Sequence, residues 1–433
     1  MEKQEKVLMG QRELKRWHLM KMVEVGKITL REAGEKIGVS YRQAKRIGRA
    51  IRERGIKGLV HGNRGRPSNN RLKEPLRARV LDLSKEVYWD FNDTHFMEKL
   101  RECEGIDLNR ETIRKLRREA GIAPKRRRRG PKHRKRRERK AQEGWMVLWD
   151  GSPHPWFGPD HPPCCLMAAI DDATGKLLAA RFFPFEGSLG YLWLLKEMVK
   201  KYGIPMVIYQ DRHGALHRND NHWSLEEQLA GRQEPTQVGL ALEALGIESI
   251  SALSPQAKGR VEKLFATLQD RLVAELRLKG IVTLEEANCF LQSIFIKAFN
   301  HRFAVRPKES QKAWREIPKD LDLDRIISFR YNATVGNDNT VRVGGLILDL
   351  PPGPHGRSYA KAKVESRQLL NGSWRIYYKN HLIAKHSPTS LKEPIRALSR
   401  NRHHAKGVQD YNWVYLASAP QSSGDYQTFQ PTL

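Results

Sequence analysis

Residues 125–140 hold twelve Lys and Arg and a single acid, Glu138. Such a block repels itself and cannot enter an apolar core without a counter-anion. It therefore divides the chain, and we read it as a phosphate-binding linker. Of the formal net charge of +29, residues 1–143 supply +22, from 42 Lys and Arg against 20 Asp and Glu. A basic first third joined to a more balanced body points to a polyanionic partner, with nucleic acid foremost. At 433 residues the chain exceeds one ordinary core, so several domains are expected. The four cysteines form no Cys-x-x-Cys pair, which suits a reducing compartment. The first residues lack the apolar core of a signal peptide, and no apolar run is long enough to span a bilayer. A cytoplasmic, nucleoid-associated protein with no membrane partner is the expectation.

Ahead of the block, residues 11–60 read as helical. Leu30, Ala33, Gly34 and Ile37 fall on one face of a first helix, and Gly38-Val39-Ser40 makes a short turn with Ser40 as N-cap. A basic second helix, Tyr41 to Ile51, follows. This is the pattern of a helix-turn-helix, with Arg42, Gln43, Lys45, Arg46 and Arg49 exposed toward DNA. An ordinary helical hairpin would lack reason for those long cationic and amide side chains. Gly62 to Pro67 reads either as a minor-groove arm presenting Arg64 and Arg66 or as a flexible linker. A second helical pair spans residues 74–121. Asn109 caps its last helix and Gly121 stops it, with Ile113 and Leu116 inward and Arg110, Arg114, Arg117 and Arg118 outward. This resembles another helix-turn-helix; a solvated charged helix is the alternative.

From Trp145 the pattern changes to buried strands and amphipathic helices. Trp145 to Trp149 is a strand run ending at Asp150. Leu166 to Ile170, the turn Asp171 to Gly175 and Leu177 to Phe183 form a hairpin. Residues 188–202 are helical, Pro205 to Tyr209 is a strand ending near Asp211, and residues 236–246 are helical. Ile247 to Ala252 is a strand, and residues 256–279 form a long helix carrying Glu262. The order β-β-β-α-β-α-β-α predicts an α/β layered core. Helices continue to about residue 316. Short strands at 326–334, 340–350, 360–369, 373–379 and 381–385 then suggest a small antiparallel barrel, before a polar tail.

Phosphodiester cleavage and transfer need an activated oxygen nucleophile and a stabilised leaving oxygen, which two divalent ions about 3.5–4 Å apart can supply. Such hard ions take carboxylate oxygens. Asp150 closes one hydrophobic strand and Asp211 follows another. Glu262, about two turns into its helix after Pro255 and Gly259, could reach back to both. Spacing alone leaves their convergence open. Asp171 and Asp172 read as turn formers. His213 is either a contact near the site or a surface histidine. Lys258 and Arg260 flank Glu262 and suit phosphate binding. His154, His161, Cys164 and Cys165 match no regular zinc spacing, and the cysteines more readily begin a buried strand.

Trp149-Asp150-Gly-Ser, Tyr209-Gln-Asp211-Arg-His-Gly and Ser254-Pro-Gln-Ala-Lys-Gly-Arg-Val-Glu262-Lys together resemble the catalytic core of the retroviral-integrase superfamily. More narrowly, they resemble the DDE insertion-sequence transposases of the ISNCY-like group. The third stretch is the most specific. The resemblance implies that Asp150, Asp211 and Glu262 are the catalytic, metal-binding triad for two Mg²⁺ (or Mn²⁺). It implies cleavage at transposon 3′ ends and attack by the freed 3′-hydroxyl on target DNA. The partners would be double-stranded DNA, as terminal repeats and as target, and further copies of the chain, at least a dimer. The architecture implied is multidomain: helix-turn-helix units, an RNase H-like α/β core and a small C-terminal β-barrel. The boundaries read as 1–62, a basic linker 63–73, 74–124, a basic linker 125–143, a core 144–280, a helical connector 281–325, a barrel 326–394 and a tail 395–433. One departure is the 51-residue interval from Asp211 to Glu262, longer than in many relatives, with 212–235 read as a loop over the site. The competing reading is a DNA-binding regulator, derived from a transposase, with an inert core. A nonspecific RNase H-type nuclease would leave the two basic helical units unexplained.

Overall fold

The computed structural model describes residues 9–60, 63–64, 71–126, 130, 137–218, 223–252 and 259–389. Arg66, Lys258, the rest of Ser254 to Lys258, most of the basic block and the polar tail lie outside the described residues. The chain divides into two compact units, Met1–Val80 and Leu81–Leu433.

The first unit is helical. α1 (Gln11–Glu24), α2 (Leu30–Ile37) and α3 (Tyr41–Arg54) are followed by a 3₁₀ turn, Gly55–Leu59. Thr29 and Glu32 form a reciprocal capping box at the start of α2: the Thr29 hydroxyl accepts from Glu32 N–H at 3.2 Å, and the Glu32 carboxylate accepts from Thr29 N–H at 2.7 Å. Gly38 ends α2 at φ +78°, and the Ser40 hydroxyl caps α3 by accepting from Gln43 N–H at 3.3 Å. At Gly34 a Cβ would stand 3.2 Å from the Val39 carbonyl and 3.4 Å from the Ala44 methyl, so this closely packed turn favours glycine. Met20, Ala33, Ala44, Ile47 and Leu59 form the core.

α4 (Glu74–Glu86) spans the division between the units. α5 (Asp93–Cys103) and α6 (Arg110–Glu119) open the larger body, capped by Asn92 and Asn109. β1 (Met146–His154), β2 (Cys164–Asp171) and β3 (Leu177–Phe183) come next, then α7 (Ser188–Tyr202) and β4 (Val207–Gln210). α8 (Leu225–Ala230), α9 (Gln237–Ala244), β5 (Glu248–Ser251) and α10 (Gly259–Leu278) complete this layer. The sheet order is β3-β2-β1-β4-β5, with β1, β2 and β3 antiparallel and β1, β4 and β5 parallel. Alternation along β1 separates two cores. Val147 and Trp149 join α7 and α9 on one face, whereas Met146 and Leu148 join α10 on the other. Against β3 stand α11 (Leu284–Phe290), a π-helical turn at Leu291–Phe295 and α12 (Ile296–Phe303), whose Asn288, Gln292 and Asn300 bond the β3 backbone. Val261, Leu264, Phe265, Leu268, Leu272 and Leu276 give α10 its buried stripe. Each such fully buried leucine contributes about 2 kcal/mol from removal of its surface from water.

Two expectations need correction here. β1 does not stop at Asp150 but runs on to His154, because pairing with β2 continues from Asp150↔Ala168 to His154↔Cys164. Segment 212–235 is not wholly loop, since it contains α8, whose Ser224 and Glu227 form a capping box.

The back of α10 carries α5. His95 Nε2 lies 2.8 Å from Glu275, Lys99 Nζ 2.8 Å from the same carboxylate, Arg271 2.5 Å from Glu98 and Arg277 2.6 Å from Asp90. The second helical unit thus packs on α10 through charge.

α13 (Leu323–Ile326) leads to β6 (Phe329–Thr334), β7 (Thr340–Val343), β8 (Leu346–Asp349), β9 (Lys363–Gln368), β10 (Trp374–Tyr378) and β11 (His381–His386). The expected barrel is not closed. A four-stranded sheet, β11-β10-β9-β6, stands beside a separate hairpin, β7-β8. The Gly344–Gly345 turn, both residues at positive φ, lets β7 and β8 satisfy each other locally. The two sheets meet over a shared core of Val341, Val343, Leu348, Val364, Trp374 and Ile376. β6 and β11 remain the sheet's outer strands among the described residues. No helix among the described residues is long and apolar enough to cross a membrane.

Candidate active site

The two aspartates stand at matched positions on neighbouring strands. The parallel ladder of β1 and β4 runs Met146↔Val207, Val147↔Ile208, Leu148↔Tyr209. Asp150 and Asp211 each lie two residues beyond its last pair. Parallel neighbours are about 4.8 Å apart, so the two backbones stand side by side at this end of the sheet, and alternation along β1 puts Asp150 on the face of Leu148, which is the α10 face. The residue before each aspartate pins this register. Trp149 Nε1 donates to Gln210 Oε1 at 3.0 Å, a buried bond, and Gln210 Nε2 donates to Ser249 Oγ at 2.9 Å, which carries the link on to the more exposed β5. Sequence reasoning missed Gln210 and Ser249, although the Trp-Asp and Gln-Asp pairs carried the signal.

Both aspartates are half-buried. Asp150 accepts from Gly151 N–H at 3.1 Å. Asp211 accepts from His213 N–H at 3.0 Å, and His213 Nδ1 in turn accepts from Ala215 N–H at 3.2 Å. These bonds fold residues 211–215 back at the strand end, with Leu216 buried as the anchor.

Glu186 is a further acid at this end of the sheet that no sequence pattern flagged. It accepts from the Tyr191 hydroxyl at 2.5 Å and stands 3.9 Å from His213 Nδ1. A Cβ on Gly151 would lie 2.4 Å from its carboxylate, so glycine is needed for this approach. Burial first, and then the charge and hydrogen bond of Glu186, push the Tyr191 phenol far up, and Asp150 and Asp211 add to this. Tyr191 is therefore a fixed, protonated donor beneath the acids. Burial pushes the Cys165 and Cys164 thiols up to about 12, which leaves them poor metal ligands at neutral pH. Both begin β2, as their apolar setting suggested. His154 is held below the ordinary histidine value, first by burial and then by Arg126.

Glu262 is exposed in the opening described turn of α10, three residues after Gly259, while residues 253–258, on which its distance from the helix start depends, lie outside the described residues. It shares a helix line with Gln269, seven residues on, whose amide donates to Ser152 Oγ at 3.1 Å. Ser152 follows Asp150 on the same face of β1, so this bond sets α10 along the strand that carries Asp150. Among the described residues, no three His, Cys, Asp or Glu are grouped so as to hold a metal ion. The register places Asp150 and Asp211 at neighbouring strand ends, and Glu262 stands on α10, which packs against β1. The donor chemistry suits hard divalent cations: half-exposed carboxylate oxygens, with neutral thiols beside them.

Asp171 is the turn former anticipated. Its carboxylate accepts from Gly144 N–H at 2.9 Å, Thr174 N–H at 2.8 Å and the Thr174 hydroxyl at 2.6 Å. Arg260 is not directed to solvent: it reaches Asp172 and donates to the Arg137 carbonyl at 2.7 Å. Arg42, Gln43, Lys45, Arg46 and Arg49 are all exposed on α3. Arg64 pairs with Glu13 at 3.0 Å. On α6, Arg110 is exposed, Arg114 pairs with Glu111, and Arg118 pairs with Asp93 at 2.7 Å. The outward placement of Arg117 is wrong. Its side chain is 3% exposed and donates to the Phe91 carbonyl at 3.0 Å and to Asp93 at 2.9 Å. Asp93, 24 residues away in sequence, supplies the buried counter-charge that makes this placement tolerable.

No protein-family model matches the chain. It is 35% identical over 380 residues to a Sinorhizobium fredii protein named as a transposase, y4bF, covering 87% of this chain and 81% of that one. It is 32% identical over 365 residues to the transposase for insertion sequence IS1202 of Streptococcus pneumoniae, covering 76% of each. Among solved structures, a simian T-cell lymphotropic virus intasome chain aligns at 14% identity and TM-score 0.29, over 72% of this chain and all of that one. The HTLV-2 integrase catalytic core with magnesium aligns at 15% identity and TM-score 0.24, over 35% of this chain and 89% of that one. These structural likenesses are slight, and the kinship rests on the two sequence relatives.

Proposed function

The chain belongs to the insertion-sequence transposases, and from that premise we propose that it binds transposon ends, cleaves their 3′ ends and joins the 3′-hydroxyls to target DNA. The observation that carries this reading is the matched register of Asp150 and Asp211 beyond the β1–β4 ladder. Asp150 and Asp211, with Glu262 from α10, would hold the divalent ions. Those ions, Mg²⁺ or Mn²⁺ and two in number, would activate the attacking oxygen and stabilise the leaving one. The chain's own residues orient the carboxylates. The Trp149–Gln210 bond keeps the strands in register, the His213 N–H fixes Asp211, and α10 covers the face. Copies of the chain would act together, at least as a dimer, since two ends must be joined.

DNA would be gripped at two places. In the first unit, α2 and α3 suit a helix-turn-helix that presents Arg42, Gln43, Lys45, Arg46 and Arg49 to the major groove. In the second, a cavity of about 750 Å³ is lined by Arg110, Arg114, Arg118, Lys125 and Arg126 against the acids Asp93, Glu111 and Asp270, and its excess of cations, with Arg110 and Arg126 foremost, suits backbone phosphates.

The test is strand transfer with a labelled duplex cut from the element's terminus, a plasmid target and Mg²⁺ or Mn²⁺. Wild type should yield joined products. Asp150→Asn, Asp211→Asn and Glu262→Gln should lose them by a thousandfold or more while still binding the end. Binding without cleavage by wild type under either metal would instead mark a DNA-binding regulator with an inert core.

A further inference from the structure

Asp172 is the second residue of the turn between β2 and β3, and its side chain is 0% exposed. A lone buried carboxylate is costly, so its partners are informative. One oxygen accepts from Arg137 at 2.5 Å and from Arg260, and the other accepts from Lys140 N–H at 2.8 Å. Its own N–H donates to the Met146 carbonyl at the start of β1, at 3.0 Å. Arg139 donates to the carbonyls of Asp172 at 3.2 Å and Ala173 at 3.1 Å. A single buried group thus gathers the end of the basic linker, the β2–β3 turn and the first turn of α10.

That first turn needs an anchor. Gly259, at the start of its described part, brings no side chain to hold it. Val261 packs beneath it, but among the described residues the other polar ties of α10 to the rest of the body come later: Gln269 to Ser152, Arg271 to Glu98, Glu275 to His95, Arg277 to Asp90. Arg260 is the exception, and it lies two residues before Glu262. Surface ion pairs hold little, but a fully buried acceptor shared by two guanidiniums has no solvated alternative.

We propose that Asp172, acting through Arg260, is a positioning residue that holds the first turn of α10 and with it Glu262, and that the same carboxylate ties the basic linker to that turn through Arg137. A pull by DNA phosphate on the linker would then reach Glu262 through one node. The proposal rests on the reading of Glu262 as the third carboxylate.

The experiment compares full-length Asp172→Asn, Arg260→Gln, Arg260→Lys and Glu262→Gln with wild type. Hydrogen–deuterium exchange without metal follows residues 259–266, 137–140 and 270–278, and cleavage of the terminal duplex is titrated with Mn²⁺. Asp172→Asn and Arg260→Gln should exchange about tenfold faster at 259–266 and 137–140, with 270–278 unchanged. They should need severalfold more Mn²⁺ for half-maximal cleavage, and Arg260→Lys should recover part of both. Wild-type exchange at 259–266 overturns the proposal, as does faster exchange spread evenly along α10, which marks general loosening. Should Asp172→Asn fail to fold, Arg260→Gln decides by the same criteria. Full cleavage by Glu262→Gln would remove Glu262 from the site while the exchange result still judged the tether. A dead Glu262→Gln beside wild-type exchange and Mn²⁺ response in the other variants would leave the site standing and sink the tether.

Discussion

α3 and α6 are alike as sequences and unlike as structures. Both are short, strongly basic and capped by a Ser or Asn side chain. On α3 the cationic residues surround a narrow apolar edge of Ala44 and Ile47, and Arg42, Lys45, Arg46 and Arg49 form no ion pair among the described residues. On α6 the arginines are engaged with acids: Arg117 and Arg118 share Asp93, and Arg114 holds Glu111. The difference teaches that the basicity of a helix does not tell which charges face a ligand. What matters is whether an acid on another element competes for them.

The largest way to break this comparison is at Arg117. Removing it leaves Asp93 and the Phe91 carbonyl without their buried partner, which costs about 3 kcal/mol. Arg117→Ala should lower the denaturant midpoint sharply while DNA affinity of the folded fraction stays within twofold. An affinity loss at unchanged stability would restore Arg117 as a DNA contact.

On α3 the expected response is inverted. Arg46→Ala should leave the melting temperature unchanged and weaken binding of the terminal duplex by about 1–3 kcal/mol if it reads a base, tenfold or more. If it grips only phosphate, the loss should be uniform across sequences and the salt slope should fall by about 1. Equal affinity for wild type and variant would remove α3 from the interface.

A smaller effect sharpens the account of α5 and α6. Burial holds the His95 imidazole below its ordinary value, against the opposing pull of Glu275. A folded-state value below the unfolded one means that the unfolded chain takes the proton first. Stability is therefore complete above about pH 6.5 and declines as pH falls below it. Urea melts between pH 7.5 and 5.5 should show that slope, and His95→Gln should flatten it. The smallest change is expected for Arg114→Ala, which should lower DNA affinity less than Arg46→Ala because Glu111 already occupies its guanidinium.

Much of the candidate site was legible because its signals are local. The apolar runs before Asp150 and Asp211 set two strands, and parallel pairing in an α/β core brings their ends together. The caps Ser40 and Asn109 mark helix starts within a few residues of themselves. Glu186 was not legible, because nothing near it in sequence shows that Gly151 and His213 close around it. Nor was the extent of β1, whose continuation past Asp150 depends on the partner strand rather than on its own Gly-Ser-Pro.

By itself the sequence determined the order of strands and helices, the two aspartates at strand ends and the basic first third. Period, capping and charge density act over a few residues and need no partner. Only the tertiary structure decided that Arg117 is interior, that Asp172 binds Arg137 and Arg260, and that the C-terminal strands stay as two sheets. Each of these depends on which distant group meets a buried charge or a strand edge. The cost of leaving such a group unmatched inside the protein selects the partner.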